Sequence, residues 1–317
     1  MNIVKREVVN QDIGSKSAHA ATVEIFKGKP VFAWFEGSRE GARDVVIKVK
    51  GLFEEDLILG EKIDLPYWNP ILYKSENDLY LWGKVGRFCD CWQTFIQKLP
   101  SEYNGSNLDN YGFSMIPAGL NGPVKSRPVE FNGKVYCGSS VETDFNWTSY
   151  IEGYSLINGS FNFNSRSNPI FVKRFNGRGI IQPTLFKYED KLFALFRSSK
   201  GLNKIYMSHS YDGLYWESPV DTGLKNPNSA IDVAQVGNNY YLIWNPSDSL
   251  RYPLQLNRFE INNMSINLFE ELTISDEDVQ DCFTKELSYP YMISEDDCLH
   301  IVYTKGRKYI EYVKVKI

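Results

Sequence analysis

A short pattern of polar and apolar positions recurs six times along the chain. Each copy is a polar tight turn followed by a run in which apolar and aromatic side chains alternate with others, a pattern typical of β-hairpins. The first apolar residues after the six turns are Val31, Leu79, Val135, Leu192, Tyr240 and Leu299. They lie 48 to 59 residues apart. This period is close to the length of a four-stranded propeller blade with its loops.

Prolines accompany the strand before the turn in four copies. Because proline has no N–H to donate, it is expected at the first residue of a strand. These residues are Pro70, Pro128, Pro183 and Pro290. No long helical period separates the copies, so the pattern predicts an all-β fold: a six-bladed β-propeller of four-stranded antiparallel blades.

The pattern also predicts how the ends of the chain are organised. Residues 308–317 alternate cleanly and are expected to pair in the same blade as the N-terminal segment. Residues 1–317 are then a single propeller domain. A β-sandwich or a two-domain all-β protein is the alternative, but neither would explain the sixfold recurrence.

Composition narrows the function classes. Of 317 residues, 43% are hydrophobic and 15% aromatic, as in a globular protein. Lys and Arg number 35 against 39 Asp and Glu, and no basic run occurs, which argues against nucleic-acid binding. No segment approaches the roughly 18 apolar residues of a membrane helix, and the N-terminus has no apolar signal stretch. We therefore expect a cytoplasmic protein. The oligomeric state is left open.

Cysteine usage indicates neither a disulfide framework nor a metal site. Five cysteines cannot all pair, and Cys89 and Cys91 are separated by one residue, less than the spacing usual in zinc sites. We expect reduced, mostly buried thiols. There is also no glycine-rich phosphate loop between a strand and a helix. The sequence thus predicts no metal and no cofactor.

Polar residues recur at the positions expected for the inner strands. In a propeller these strands converge on one axis, so residues distant in sequence become neighbours there. A buried donor without a partner costs about 1 to 3 kcal/mol, and we therefore expect water or a ligand among them. The set comprises His19, Asn69, Arg127, Gln182, Asn228 or Asp232, and Tyr289.

Short motifs resemble a known family. Residues 208–216 resemble an Asp-box, a structural hairpin turn of sialidases and related propellers, shortened by one residue. Further blocks resembling the BNR-2, sialidase-like family span nearly the whole chain, among them His19 to Thr22, Trp34 to Gly37, Arg39 to Gly41, Gly122 to Lys125, Ile180 to Thr184 and Ser288 to Pro290. The resemblance implies a six-bladed propeller with a carbohydrate-directed site at its central channel.

The resemblance also implies roles for particular residues. Sialidases bind the carboxylate of their substrate with three arginines; Arg197 and Arg251 match two of these positions, and His19 occupies the third. Asp44 falls where the family keeps its acid/base carboxyl, and Tyr289 with Glu286 resembles its nucleophilic pair. The predicted catalytic residues are Asp44, Tyr289, Glu286 and His19. The predicted substrate-binding residues are Arg39, Lys125, Arg127, Glu142, Gln182, Arg197, Asn228 and Arg251.

Each candidate also has a purely structural interpretation. Asp44 would then pair only with Arg43 or Arg39, and Glu286 would only hold Arg251. Three tryptophans are expected to pack blades rather than stack on sugars, namely Trp34, Trp92 and Trp147. His209 and His300 are expected to be structural.

These residues favour a metal-independent enzyme that cleaves or transfers a glycosidic bond of an acidic or complex glycan. Such chemistry needs two carboxyls, or a carboxyl and an activated tyrosine. The alternatives are a polysaccharide lyase with His19 as base beside Tyr289, a glycosyltransferase, and a non-catalytic glycan-binding or scaffold propeller. The sequence leaves open whether the protein is an enzyme.

Overall fold

A computed structural model of the protein describes residues 1–11, 17–60, 62–173, 177–276 and 284–317. Within these ranges the chain forms twenty-four β-strands, arranged as six four-stranded antiparallel sheets. The predicted fold class is confirmed: the protein is an all-β, six-bladed β-propeller. The chain divides into two compact units, one of residues 1–120 with 278–317 and one of residues 121–277. That residues 1–317 act as one domain stays a prediction.

The first unit contains three blades. Blade I comprises β2 (Ser17–Phe26), β3 (Lys29–Gly37), β4 (Val46–Lys50) and β5 (Leu57–Leu59). Blade II comprises β6 (Tyr67–Ser75), β7 (Asp78–Val85), β8 (Gln93–Lys98) and β9 (Ser114–Met115). Blade VI combines both ends of the chain: β1 (Asn2–Val8), β22 (Leu287–Glu295), β23 (Cys298–Lys305) and β24 (Tyr309–Lys316).

The second unit contains the other three blades. Blade III comprises β10 (Val129–Phe131), β11 (Lys134–Glu142), β12 (Trp147–Ile157) and β13 (Ser160–Arg166). Blade IV comprises β14 (Ile180–Tyr188), β15 (Lys191–Ser198), β16 (Lys204–Ser210) and β17 (Val220–Lys225). Blade V comprises β18 (Asp232–Val236), β19 (Asn239–Trp244), β20 (Leu254–Asn262) and β21 (Ser265–Ser275).

Blade VI confirms the predicted pairing of the chain ends. Strand β1 pairs with β24, and the register runs from Asn2 opposite Lys316 to Val8 opposite Glu311. The alternating C-terminal segment places Ile310, Val313 and Val315 in the core, fully buried.

All six predicted turns are two-residue loops, which join the first two strands in blades I to V and β22 to β23 in blade VI. The first loop residue has a positive φ in each, as the tight hairpin turns that match strand twist require. Only one of these six residues is a glycine, and the others are Lys27, Glu76, Asn132, Glu189 and Asp296. Polar residues tolerate this strain because the hairpin on either side fixes the turn.

In four blades the strand before the predicted turn carries a β-bulge that the sequence pattern did not predict. The register shifts between His19 and Thr22, Trp68 and Ile71, Ile181 and Thr184, and Ser288 and Tyr291. A bulge leaves residues outside the hydrogen-bond ladder and bends the strand.

The bulge corrects the expected position of three prolines. Pro70, Pro183 and Pro290 are the fourth residues of β6, β14 and β22, not the first. They are tolerated there because the bulge needs no donor from them. The residues directly before them, Asn69, Gln182 and Tyr289, have φ values of +40°, +53° and +53°. Pro128 does precede its strand directly.

Candidate functional site

Tyr289 lies in the bulge of β22 in a strained conformation. A bulky aromatic residue rarely adopts a φ of +53°, which costs of order 1 to 3 kcal/mol and is concentrated at functional sites. Its ring centroid lies 4.3 Å from that of His19 on β2. His19 is buried, whereas Tyr289 is half-buried. The left-handed residue of β2 is Ala20, so His19 precedes the bulge and is not the positional equivalent of Tyr289.

Arg307 lies beside Tyr289 and is held by two carboxylates. Its Nε donates to Glu286 Oε1 at 2.8 Å, and its Nη1 pairs with Glu40. The Ser288 hydroxyl donates to the same Glu286 oxygen at 2.9 Å. Burial alone would lower the pKa of Arg307, but Glu40, Glu286 and Tyr289 together raise it. Arg307 therefore remains a cation next to the Tyr289 phenol.

Sequence reasoning missed Arg307. It lies in the turn 305–308 between β23 and β24, where a run of Lys, Gly, Arg and Lys is typical of a solvated hairpin. The structure instead packs this turn against β2, because Ala18 N donates to the Arg307 carbonyl at 3.0 Å. Glu286 thus pairs with Arg307 in the neighbouring hairpin of blade VI, whereas the sequence predicts Arg251 as the arginine that it holds.

Asp44 lies in the loop between β3 and β4 and is exposed. Its two carboxylate oxygens accept hydrogen bonds from the backbone N–H and the hydroxyl of Ser38, both at 2.9 Å. Arg43 pairs with Asp64 at 2.8 Å, and both are exposed. Arg39 is also exposed. In this structure the Asp44 carboxylate stabilises its own loop.

The same loop contacts residues from two other blades of its unit. Glu40 pairs with Arg307 of blade VI. Gly41 packs so closely on Trp68 of blade II that a Cβ built on it would lie 3.1 Å from the indole. The loop that carries Asp44 is therefore anchored beside both Arg307 and Trp68.

In the second unit, Arg197 is the centre of a buried polar cluster. It is 6% exposed. Its Nε and Nη2 donate to Asn228 Oδ1 at 3.1 and 2.8 Å, and its Nη1 donates to Gln182 Oε1 at 3.0 Å. Its guanidinium lies 5.8 Å from the Trp147 ring centroid. Amide oxygens carry no net charge, so these contacts orient the guanidinium without neutralising it.

Lys125 is buried close to Arg197. Its Nζ donates to the Ile231 carbonyl at 3.2 Å and lies 4.0 Å from Asp232 Oδ2. Thr184 donates to the other oxygen of Asp232 at 2.6 Å. Burial lowers the pKa of Lys125 to about 8, and Arg197 adds to the shift while Asp232 opposes it. Lys125 is mostly charged at pH 7 but close to losing its proton.

Three other predicted residues lie in this unit. The Arg251 Nη2 donates to the Asn228 carbonyl at 2.9 Å, so Arg197 and Arg251 share one neighbour. Glu142 accepts a hydrogen bond from the Ser140 hydroxyl at 3.1 Å, and Arg127 is half-buried.

The structure thus groups eight of the twelve predicted residues into two sets, one in each unit. His19, Glu286 and Tyr289 form one set with Arg307. The other set comprises Lys125, Gln182, Arg197, Asn228 and Arg251. The catalytic and binding roles of all these residues stay predictions.

Of the described cysteines, Cys137 and Cys298 are buried, but Cys89 and Cys91 are exposed, contrary to the expectation of mostly buried thiols. Cys282 lies outside the described residues. Within the described ranges, no three His, Cys, Asp or Glu side chains are grouped to hold a metal ion. None of the helical segments described is long and apolar enough to span a membrane.

Comparison with known proteins identifies the family. The sequence profile of the BNR repeat-like domain matches residues 28–301, so the chain belongs to this family. No curated protein matches the sequence significantly.

Solved structures share the fold at low sequence identity. A protein of unknown function from Dyadobacter fermentans superposes with a TM-score of 0.72 at 11% identity, covering 100% of this chain and 99% of its own. A Trypanosoma rangeli sialidase in complex with the inhibitor DANA gives a TM-score of 0.65 at 13% identity, covering 94% of this chain and 55% of its own. A subtype N10 neuraminidase-like protein of A/little yellow-shouldered bat gives a TM-score of 0.59 at 8% identity over 100% of both chains.

Proposed function

We propose that this protein binds an acidic glycan and cleaves a glycosidic bond in it. The observation that carries the proposal is the buried cluster around Arg197. Lys125, Arg197 and Arg251 contribute three positive charges there, and among the described contacts the Asp232 carboxylate lies 4.0 Å from the Lys125 Nζ. A carboxylate-bearing sugar fits such an environment, because an oriented guanidinium binds carboxylates with two parallel hydrogen bonds.

The set in the first unit, which contains Glu286, Tyr289 and Arg307, supplies groups suited to bond cleavage. In the proposed reaction the Tyr289 oxygen attacks the anomeric carbon as Glu286 takes its proton, while Asp44 protonates the departing oxygen. Water then attacks the same carbon and gives a proton to Asp44, while Tyr289 leaves and regains its proton from Glu286. Arg307 stabilises the developing phenolate because it is a cation beside the phenol. Transfer to a sugar acceptor in place of water uses the same intermediate.

Glycan binding without cleavage is the second candidate, and one observation favours it. The carboxylates of Asp44 and Glu286 are occupied by Ser38 and by Arg307 with Ser288. Both must be released or shared for proton transfer. A lyase would instead depend on His19 as the base.

Turnover of fluorogenic glycosides tests the proposal. The probes are 4-methylumbelliferyl glycosides of N-acetylneuraminic acid, glucuronic acid and neutral hexoses. We expect release from an acidic glycoside only. Tyr289→Phe should lower kcat at least a hundredfold, whereas Arg197→Met should raise KM at least tenfold with a smaller effect on kcat.

The matched control is Tyr215→Phe, since Tyr215 is 72% exposed. It should retain wild-type kinetics. Binding of an acidic glycan that depends on Arg197, with no turnover of any probe, would establish the glycan-binding alternative. Full turnover by Tyr289→Phe would refute the assigned nucleophile. An unsaturated product from the wild type, together with loss of turnover in His19→Ala, would indicate the lyase.

A further inference from the structure

A cavity of about 530 Å³ lies beside β16 of blade IV in the second unit. One wall is the segment 168–173, which connects blade III to blade IV, and the other is the segment 216–219, which precedes β17. Tyr206 of β16 also lines the cavity. Pockets of about 300 to 1,000 Å³ are typical of small-ligand sites. None of the lining residues belongs to either set described above, so this cavity is a separate feature of the molecule.

The walls of the cavity are held in place by hydrogen bonds. Ile170 exchanges two backbone hydrogen bonds with Ser149 of β12, of 2.8 and 2.9 Å. The Asn168 side-chain oxygen accepts a hydrogen bond from the Trp216 backbone N–H at 2.9 Å, which joins one wall to the other. Because these contacts exist before any ligand arrives, binding does not have to order the walls, and that saves conformational entropy.

Aromatic side chains line the cavity, and two of them are within reach of a ligand. Phe171 is 53% exposed, and Tyr206 is half-buried. Trp216 is buried and forms an inner part of the lining. Its Nε1 donates to the Gly213 carbonyl at 3.1 Å, which fixes the ring. Accessible aromatic surface around a concave site is typical of ligand binding.

Polar groups complete the lining. Glu217 and Ser218 are exposed on one wall, and Lys173 is exposed on the other. Among the described lining residues, one carboxylate and one ammonium group balance each other, so the cavity does not select an anion as the Arg197 cluster does. Carboxylate and hydroxyl oxygens accept hydrogen bonds from hydroxyl groups. The lining therefore matches a neutral ligand that has an apolar face and a hydroxyl-bearing edge.

We propose that this cavity binds a neutral sugar unit, at a site separate from the Arg197 cluster. The C–H face of the sugar packs on Phe171 and Tyr206, and its hydroxyl groups donate to Glu217 and Ser218. A proline-rich peptide also suits aromatic grooves, but the Trp216 Nε1 already donates to a backbone carbonyl of its own hairpin and does not supply the donor that a peptide carbonyl needs. Residues 208–216, interpreted from the sequence as a structural hairpin turn, thus position a ligand-site wall.

Saturation-transfer NMR titrations test the site. The neutral probes are the methyl glycosides of glucose, galactose, mannose and N-acetylglucosamine, and we expect the wild type to bind at least one of them. Phe171→Ala removes the accessible ring, and Ser218→Trp fills the cavity; each should raise the Kd about tenfold or more. Phe145→Ala is the matched control, because Phe145 is an 88% exposed phenylalanine of the same unit that does not line the cavity. It should bind as wild type does.

The outcomes separate this site from the proposed function. No binding of any neutral glycoside by the wild type, or an unchanged Kd in either Phe171→Ala or Ser218→Trp, would overturn the sugar site. Loss of neutral-glycoside binding in Arg197→Met would also overturn it, since the sugar would then lie at the Arg197 cluster. Binding of a hexaproline peptide in place of every glycoside would overturn the sugar assignment.

The sugar site does not depend on cleavage. If no fluorogenic glycoside is turned over, the proposed cleavage fails, while binding of a neutral glycoside that is lost in Phe171→Ala would still support this site. Circular dichroism of each variant verifies folding.

Discussion

Lys125 should make the protein more stable at alkaline pH. Its pKa falls from 10.5 to about 8 on folding, chiefly through burial. Between these two pH values the unfolded chain binds a proton that the folded chain has released. The free energy of unfolding therefore rises with pH in this window.

The size of the effect follows from the pKa. At pH 7 most of Lys125 is protonated in both the folded and the unfolded state, so its contribution to the pH dependence of the free energy of unfolding is close to zero. At pH 9 the folded form is mostly neutral while the unfolded form is still charged. The wild type should therefore gain about 1 kcal/mol between pH 7 and pH 9 from this group. Lys125→Met removes the titrating amine and should lose that gain.

Urea unfolding followed by tryptophan fluorescence at pH 7 and pH 9 measures the difference. The comparison is between wild type, Lys125→Met and Lys134→Met, in which an exposed lysine of β11 is replaced. Between pH 7 and pH 9 the wild type and Lys134→Met should gain the same free energy of unfolding, and Lys125→Met should gain about 1 kcal/mol less. An identical pH dependence in all three proteins would show that burial does not lower the pKa of Lys125. It would also remove Lys125 from the proposed anion site.

Two further predictions concern stability. Burial, with a smaller effect of Lys314, lowers the pKa of His300 to about 4, so the free energy of unfolding should fall as pH drops from 6.5 towards 4. His300→Gln, measured by thermal unfolding at pH 7 and 4.5, should flatten that fall, and an unchanged slope would contradict the assignment. Gly138→Ala should destabilise the protein by about 1 to 3 kcal/mol, because the new Cβ would lie 2.2 Å from the Pro183 carbonyl oxygen. An unaltered urea midpoint would show that the bulge of β14 moves to make room for the new methyl group.

The blades could be predicted from the sequence because their determinants are local. A two-residue turn fixes its own hairpin, and strict alternation fixes which face of the strand is buried. Six such hairpins at regular spacing leave few alternatives. The pairing of β1 with β24 was also foreseeable, since the last ten residues alternate without a break.

The bulges escaped prediction because they depend on the partner strand. Pro183 reads equally well as a strand start or as a bulge residue, and only the register with β15 separates the two. Arg307 was missed for a related reason. It reads as an ordinary surface charge in a turn and carries no motif.

The sequence by itself determined the blade architecture, since hairpin turns and alternation act over a few neighbouring residues. Only the tertiary structure decided which charges are buried and what they touch. Arg307 contacts Glu286 and Glu40, and Arg197 contacts Gln182 and Asn228, through packing between elements. Desolvation and charge pairing depend on distances that no local pattern encodes.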